Sequence, residues 1–220
     1  AGVEPRVNVA IDVVYPRSVF ARIAGEFRRR FVGVQLRIAA ALMGSAFRDL
    51  ESGAVDLAVT GMPQLPKGIV GLSAGASPMV AVVAPEHPLA CIDGPIEMAT
   101  LEKHTQLVLA DPTEMSAAQD FHVLSPRTWR LTDMAIRHEM LRAGVGWGRM
   151  PISWVERDLQ QKLLVRITPK IWAARVPSLD MRVVHRDDTP LGPAATWLAR
   201  ELCVEGKRWE DEVVAQAMRA

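Results

Sequence analysis

Val7 to Val13 is a β-branched run that stops at Tyr15-Pro16, and proline suits the first position of a helix, so the pattern predicts a strand feeding a helix. In that helix Phe20, Ile23, Ala24 and Phe27 recur at the three-and-four spacing of a buried face, while Arg22, Glu26 and Arg30 form a charged stripe. Val34 to Ala40 reads as the next strand. Gly44-Ser45 opens a short helix through Leu50, with Gly53 placed to end it in a left-handed turn, and Val55 to Thr60 is a third strand. Strand, helix, strand, helix, strand implies a parallel sheet covered by helices.

The alternation then breaks. Ile69 to Ala84 is extended, with no intervening helix, and runs through Ser77-Pro78 into Met79-Val80-Ala81-Val82-Val83. Gln106 to Leu109 and Thr128 to Leu131 read as strands, with Asp111-Pro112-Thr113 suited to a turn or cap between them. Thr132 or Asp133 can cap a helix through Met140 to Ala143 that Gly144 stops. Val145 to Met150 is a glycine-punctuated strand, and Pro151 starts a helix bearing Trp154, Val155 and Leu159. Strands follow at Leu163 to Ile167 and Met181 to Val184. Asp188, Thr189 and Pro190 are expected to begin the next helix, whose face is Leu191, Ala194, Ala195, Leu198 and Leu202; a last amphipathic segment carries Trp209, Val213 and Ala217. The two strands near 80 and 183 lack a helix on their near side, so the chain is expected to cross between lobes there. This gives a discontinuous first lobe, 1–79 with 184–220, and an inserted second lobe, 80–183.

Composition narrows the function. With 220 residues, 49% of them hydrophobic, the chain can bury a core, and 26 Lys and Arg against 25 Asp and Glu leave a net charge of +1. That balance lacks the one-sided basic field of a nucleic-acid-binding surface. The one dense basic run, Arg28-Arg29-Arg30, ends a predicted helix, where cations complement the dipole. Residues 68–85 carry no charge, but prolines, glycines and serines leave only Met79 to Ala84 continuously apolar, which is a buried strand and no membrane span. Cys91 and Cys203 give no disulfide framework and fit a reducing, cytoplasmic setting.

Several short patterns carry chemistry in other contexts. Gly71-Leu-Ser73-Ala-Gly75 fits the hydrolase elbow Gly-x-Ser-x-Gly, yet a β-branched run follows where the elbow needs a helix. Gly144-Val-Gly146-Trp-Gly148 echoes a dinucleotide loop but follows a helix. The histidines at 87, 104, 122, 138 and 185 show no paired spacing for a metal. No enzyme activity, metal or cofactor is therefore expected.

Five stretches together resemble the effector domain of LysR-type transcription regulators, the first being strand one into Tyr15-Pro16, which resembles that family's first cleft loop. Leu50-Glu-Ser-Gly53-Ala-Val-Asp56-Leu57-Ala58-Val59 is similar to that family's helix-Gly-x-x-Asp-Leu-Ala-strand signature, and Ala84-Pro85-Glu-His87-Pro88-Leu89-Ala90 to its segment past the first crossing. Met140-Leu-Arg-Ala143-Gly144-Val-Gly146-Trp-Gly148-Arg-Met150-Pro151 resembles its helix, glycine turn, strand and proline unit; Pro190-Leu191-Gly192 to Trp197-Leu198 is similar to its closing helix. Gln161-Lys162 departs from the pattern, standing where the family often has glycine.

The resemblance implies an α/β chain of two Rossmann-like lobes joined by two crossing strands, the type II periplasmic-binding-protein fold, with a small-molecule effector held between the lobes. It implies a homodimer, a tetramer at full length, with the first helix and second strand set against the 133–143 helix of a second copy. DNA would be bound only through an N-terminal winged helix-turn-helix that this chain lacks, so the chain reads as a fragment. The runner-up is a mature periplasmic solute-binding protein, which would share the fold. Strand ends and helix starts suit an organic anion. They nominate Asp12 and Tyr15, Met43, Thr60, Ser77 and Pro78, Asp111 and Thr113, and Gly146 and Trp147 as ligand-binding residues. Tyr15 and Trp147 would wall an apolar cleft, and Thr60, Ser77 and Thr113 would orient the ligand. Asp12 would repel an anion unless paired, and so favours a ligand with a hydroxyl or amine. Arg17 is a weaker candidate for a carboxylate contact.

Overall fold

Contacts in the computed structural model divide the chain into two units, Ala1–Ser77 with Leu179–Ala220 and Pro78–Ser178. The structure describes residues 2–110, 123–174 and 177–217. In the first unit β1 (Arg6–Asp12) lies between β2 (Gln35–Ala41) and β3 (Leu57–Thr60), parallel to both. β10 (Ser178–Arg186) runs antiparallel to β3, and the sheet continues to β4 (Ile69–Val83). The helices are α1 (Arg17–Arg30), α2 (Ser45–Glu51) and α6 (Pro193–Ala217). Strand, helix, strand, helix, strand over the first sixty residues is thus as the hydrophobic pattern predicts. The buried face of α1 is Val19, Ile23 and Phe27, each such side chain contributing roughly 1.5–3 kcal/mol of hydrophobic stabilisation. Arg28, Arg29 and Arg30 fill its last turn and are exposed.

Helix α6 corrects two expectations. It starts at Pro193, after the expected Pro190, because Asp188 and Thr189 are held in the preceding turn: Arg186 pairs with Asp188 at 3.5 Å and donates to Thr189 Oγ1 at 3.0 Å. The cap comes instead from Glu4, whose carboxylate accepts from the N–H groups of Ala194 (3.2 Å) and Ala195 (2.7 Å). A carboxylate there satisfies two orphan donors and complements the dipole. The two expected C-terminal segments are one continuous helix of 25 residues passing through Gly206. That glycine lets α6 press on β4: a Cβ on Gly206 would lie 2.2 Å from the Ala74 carbonyl oxygen.

In the second unit the Pro78–Val83 part of β4 pairs antiparallel with β8 (Gly148–Pro151) and with β9 (Val165–Pro169), and β9 pairs parallel with β5 (Pro95–Ile96). β6 (Gln106–Leu109) pairs parallel with β7 (Thr128–Leu131), and a parallel bridge from Gln106 to Trp147 joins it to the start of β8. The helices are α3 (Met98–Leu101), α4 (Met134–Arg142) and α5 (Ile152–Gln160). Asp133 caps α4 by accepting from the Ile136 N–H at 2.8 Å, and Gly144 follows in the left-handed region at φ 72°, both as the sequence predicts. A core of Ala81, Val83, Leu89, Ile96, Leu101, Trp147 and Ile167 closes the unit.

Lys162 itself takes the left-handed conformation, φ 57°, at the turn where the family's glycine is missing. A non-glycine residue there costs about 1–2 kcal/mol, offset in part by the roughly 0.5–1 kcal/mol that glycine adds to unfolded-chain entropy. Lys162→Gly is therefore expected to be neutral to stabilising by up to about 1 kcal/mol, and Lys162→Val to be destabilising. Urea unfolding of the pair checks this; a Val variant as stable as the Gly variant would contradict the assigned conformation.

Candidate functional site

In the first unit the carboxyl ends of three parallel strands lie side by side, since Asp12 is paired with Ala41 and Ile11 with Val59. Each end turns tightly, and the turns are built by the nominated residues. Asp12 is buried, and its Oδ1 accepts from the Val14 N–H at 2.9 Å while its carbonyl accepts from the Tyr15 N–H at 2.9 Å. That carboxylate shapes the turn leading into α1. Met43, past the end of β2, holds the left-handed conformation at φ 47°. The Thr60 hydroxyl reaches the Met43 carbonyl at 3.5 Å and accepts from the Met62 N–H at 3.2 Å, linking the ends of β2 and β3. Ser77 donates to the Val14 carbonyl at 3.1 Å, linking β4 to the turn after β1.

Tyr15 is almost wholly buried and its hydroxyl donates to the Leu202 carbonyl at 2.8 Å. Burial first, then Cys203 and Glu205, push its pKa far above that of an ordinary tyrosine, with Arg22 opposing, so it stays a neutral donor tying the turn to α6. These hydroxyls and the Asp12 carboxylate thus hold the three strand ends in place. Helix α1 begins directly after the first turn, and Pro16 at its N-cap supplies no side-chain acceptor.

In the second unit β6, β7 and β8 are parallel, and their carboxyl ends are Leu109, Leu131 and Pro151. Gly146 and Trp147 were nominated as a strand end facing ligand, and the register corrects this: they stand at the amino end of β8, beside Thr105 at the amino end of β6. Trp147 donates its backbone N–H to the Thr105 carbonyl at 3.0 Å, and its ring is fully buried in the unit's core. A Cβ on Gly146 would lie 2.3 Å from the same carbonyl oxygen, so glycine serves close strand approach. The local pattern of Val145 to Met150 specifies a strand, but its direction in the sheet is set by neighbours distant in sequence. Pro78 starts the second unit within β4, next to Met79, which is paired with Pro151. Asp111 and Thr113 lie outside the described residues.

Two residues on this edge were missed by the sequence reading. Ser153, in the first turn of α5, has a buried hydroxyl without a hydrogen-bond partner, and Arg149 in β8 has a buried Nη1 in the same condition. A lone arginine in an otherwise apolar strand was the available signal.

Ser73 sits within β4, which continues to Val83, so no helix follows it. Among the described residues no group of three or more His, Cys, Asp or Glu could hold a metal ion, and no helix is long and apolar enough to cross a membrane.

Two α/β units, each with parallel strand ends at one edge, the long strand β4 running from the first into the second, define a chain of the type II periplasmic-binding-protein class. The family model described as LysR substrate binding domain matches residues 1–203, and the chain belongs to that family. It is 24% identical over 207 residues to the probable HTH-type transcriptional regulator YhaJ of Escherichia coli (strain K12), covering 91% of this chain and 66% of that protein. The chain thus spans just under two thirds of that relative's length. Among solved structures it is similar to the CcmR regulatory domain of Synechocystis PCC6803 in complex with 2-PG, at TM-score 0.74 and 15% identity, covering 92% of this chain and 98% of that one. It is also similar to the effector binding domain of QuiR in complex with shikimate, at TM-score 0.72 and 14% identity, covering 92% and 97%.

Proposed function

We propose that this domain senses a small organic molecule, in the first instance an anion, on behalf of a transcription regulator whose DNA-reading part lies outside the chain. The observation that carries the reading is the convergence of the β1, β2 and β3 carboxyl ends on turns made by Asp12, Met43 and Thr60, beside the start of α1, in a chain of the LysR substrate-binding family. Open α/β sheets take ligands beyond such strand ends, and a helix start favours negative charge. Tyr15 and Ser77 act by holding the turns; Asp12 uses one carboxylate oxygen for its own turn, which removes part of the repulsion an anion would meet. Gly146 and Trp147 contribute through the core of the second unit. The relatives are regulators, which favours this reading over a transporter's solute-binding subunit.

The effector acts only by binding one conformation better than another. The signal passes to a second copy of the domain through surfaces that expose apolar side chains: Val32 and Ile38 at and before the edge strand β2, Trp129 on β7 and Ile136 on α4. Homodimerisation there is part of the proposal, with a tetramer at full length.

A thermal-shift screen of small carboxylates, amino acids and purine-pathway metabolites tests the sensor claim. A ligand at one hundred times its dissociation constant adds about 2.7 kcal/mol, equivalent to a rise of roughly 5–10 °C for a chain of this size. A flat response across the whole panel would sink it.

A further inference from the structure

The second unit buries a positive charge that pairs with no acidic side chain among the described residues. Arg149 is 7% exposed, lies opposite Ala81 in the sheet, and its Nη1 has no hydrogen-bond partner. None of the ion pairs among the described residues includes it. Its guanidinium carbon stands 5.8 Å from the centre of the Trp172 ring. A second buried arginine is close enough to feel it. Arg137, on α4, donates from Nε and Nη2 to the Leu107 carbonyl at 3.0 and 2.8 Å, and its Nη2 lies 3.1 Å from where a Cβ on Gly148 would stand.

Taking a guanidinium out of water is costly, and folded proteins ordinarily offset the cost with a carboxylate. Burial pushes Arg149 down to about 10 and Arg137 to about 9, the latter further lowered by Arg149, so both remain cationic at neutral pH. Two buried like charges, neither in an ion pair among the described residues, cost the fold stability. Leu107 gives Arg137 a carbonyl; Arg149 Nη1 is left with an unused donor.

The register places that donor. Met79 is paired with Pro151, and Ala81 with both Arg149 and Ile167, so the carboxyl ends of β8 and β9 lie at the same edge of the sheet. Trp172 follows three residues after the end of β9. A guanidinium over that ring is carried from the middle of β8 toward the edge where the carboxyl ends of β6, β7 and β8 lie. Arginine is the side chain best suited to an oxyanion there, since its planar donors match carboxylate and phosphoryl geometry and its face stacks on an aromatic ring.

We propose that Arg149 is the anion-reading residue of the second unit, donating through Nη1 to an oxyanion of the bound small molecule while the Trp172 ring supports the guanidinium. The assignment rests on the sensor reading above and specifies its ligand: the molecule carries a carboxylate or a phosphoryl group. The missing counter-charge is then supplied by the ligand.

The test is a titration of the 15N-labelled domain with sodium benzoate and, separately, inorganic phosphate, each against sodium chloride at equal ionic strength, following the arginine Nε–Hε resonance that Arg149→Met removes. A saturable shift with benzoate identifies a carboxylate site, and one with phosphate a phosphoryl site; either supports the assignment. In parallel, Arg149→Met is expected to melt about 2–4 °C higher than the parent when ligand-free, because an unpaired buried charge is gone, and to lose its anion-induced thermal shift. Should that variant not fold, Arg149→Lys, which keeps the charge but not the planar donors, is expected to weaken anion binding at least tenfold. No saturable resonance shift with either anion, or an anion-induced thermal shift retained in full by Arg149→Met or Arg149→Lys, overturns the assignment. A compound that stabilises parent and Arg149→Met equally leaves the sensor reading standing and removes only the role of Arg149.

Discussion

Replacing Gly206 by alanine is expected to destabilise the protein by about 3 kcal/mol or more, lowering the melting temperature by roughly 6–12 °C. Helix propensity alone predicts the opposite sign, since Gly to Ala inside a helix ordinarily gains about 1 kcal/mol. The packing decides. A Cβ at 206 would stand 2.2 Å from the Ala74 carbonyl oxygen and 3.1 Å from the Tyr15 hydroxyl, and neither can retreat cheaply: Ala74 is inside β4, and Tyr15 is fastened to the Leu202 carbonyl. The contact is reciprocal, because a Cβ on Gly75, at φ 81°, would fall 2.7 Å from the Gly206 carbonyl oxygen. Val204→Ala, at an exposed position of the same helix, is the control and is expected within about 0.5 kcal/mol of the parent. If Gly206→Ala melts at or above the parent, α6 does not press on β4 as described.

Gly146→Ala is expected to cost about 2–4 kcal/mol through the second unit. Its Cβ would meet the Thr105 carbonyl oxygen at 2.3 Å, the same oxygen that accepts from the Trp147 N–H. Moving Thr105 away breaks the bridge from β6 to β8 and loosens the fully buried Trp147 ring. Urea unfolding of the variant, with Trp147 fluorescence as a further readout, checks both consequences. An unchanged midpoint would return Gly146 to the list of candidates for direct ligand contact, because its smallness would then have no structural cause.

Most elements of the fold could be read from periodicity alone. The Asp133 cap and Gly144 stop of α4 and the strands at 106–109 and 128–131 are local events, settled by residues within a few positions of one another, and the structure has them where the pattern predicts; on α1 the buried face keeps Ile23 and Phe27 but takes Val19 in place of Phe20 and Ala24, which are only partly buried. In the first unit Asp12, Met43 and Thr60 stand at or just past the carboxyl ends of β1, β2 and β3, because these strands alternate regularly with helices and their direction follows from the chain, whereas Ser77 lies inside β4.

What could not be read depends on partners distant in sequence. The cap of α6 is Glu4, some 190 positions away, so the nearby Asp188, Thr189 and Pro190 misdirected the boundary. The direction of β8 within its sheet needs the pairing of Met79 with Pro151 and of Gln106 with Trp147, which puts Gly146 and Trp147 at its amino end and not at the carboxyl end the pattern suggests. Arg149 looked like one more charge among 26 Lys and Arg until the fold buried it beside Trp172 with an unpaired donor. Local pattern determines which segments are strands and helices because backbone propensity and amphipathicity act over one or two turns. Which end of a strand faces a ligand, and which charge lacks a partner, are properties of packing between distant segments, and only the tertiary structure decides them.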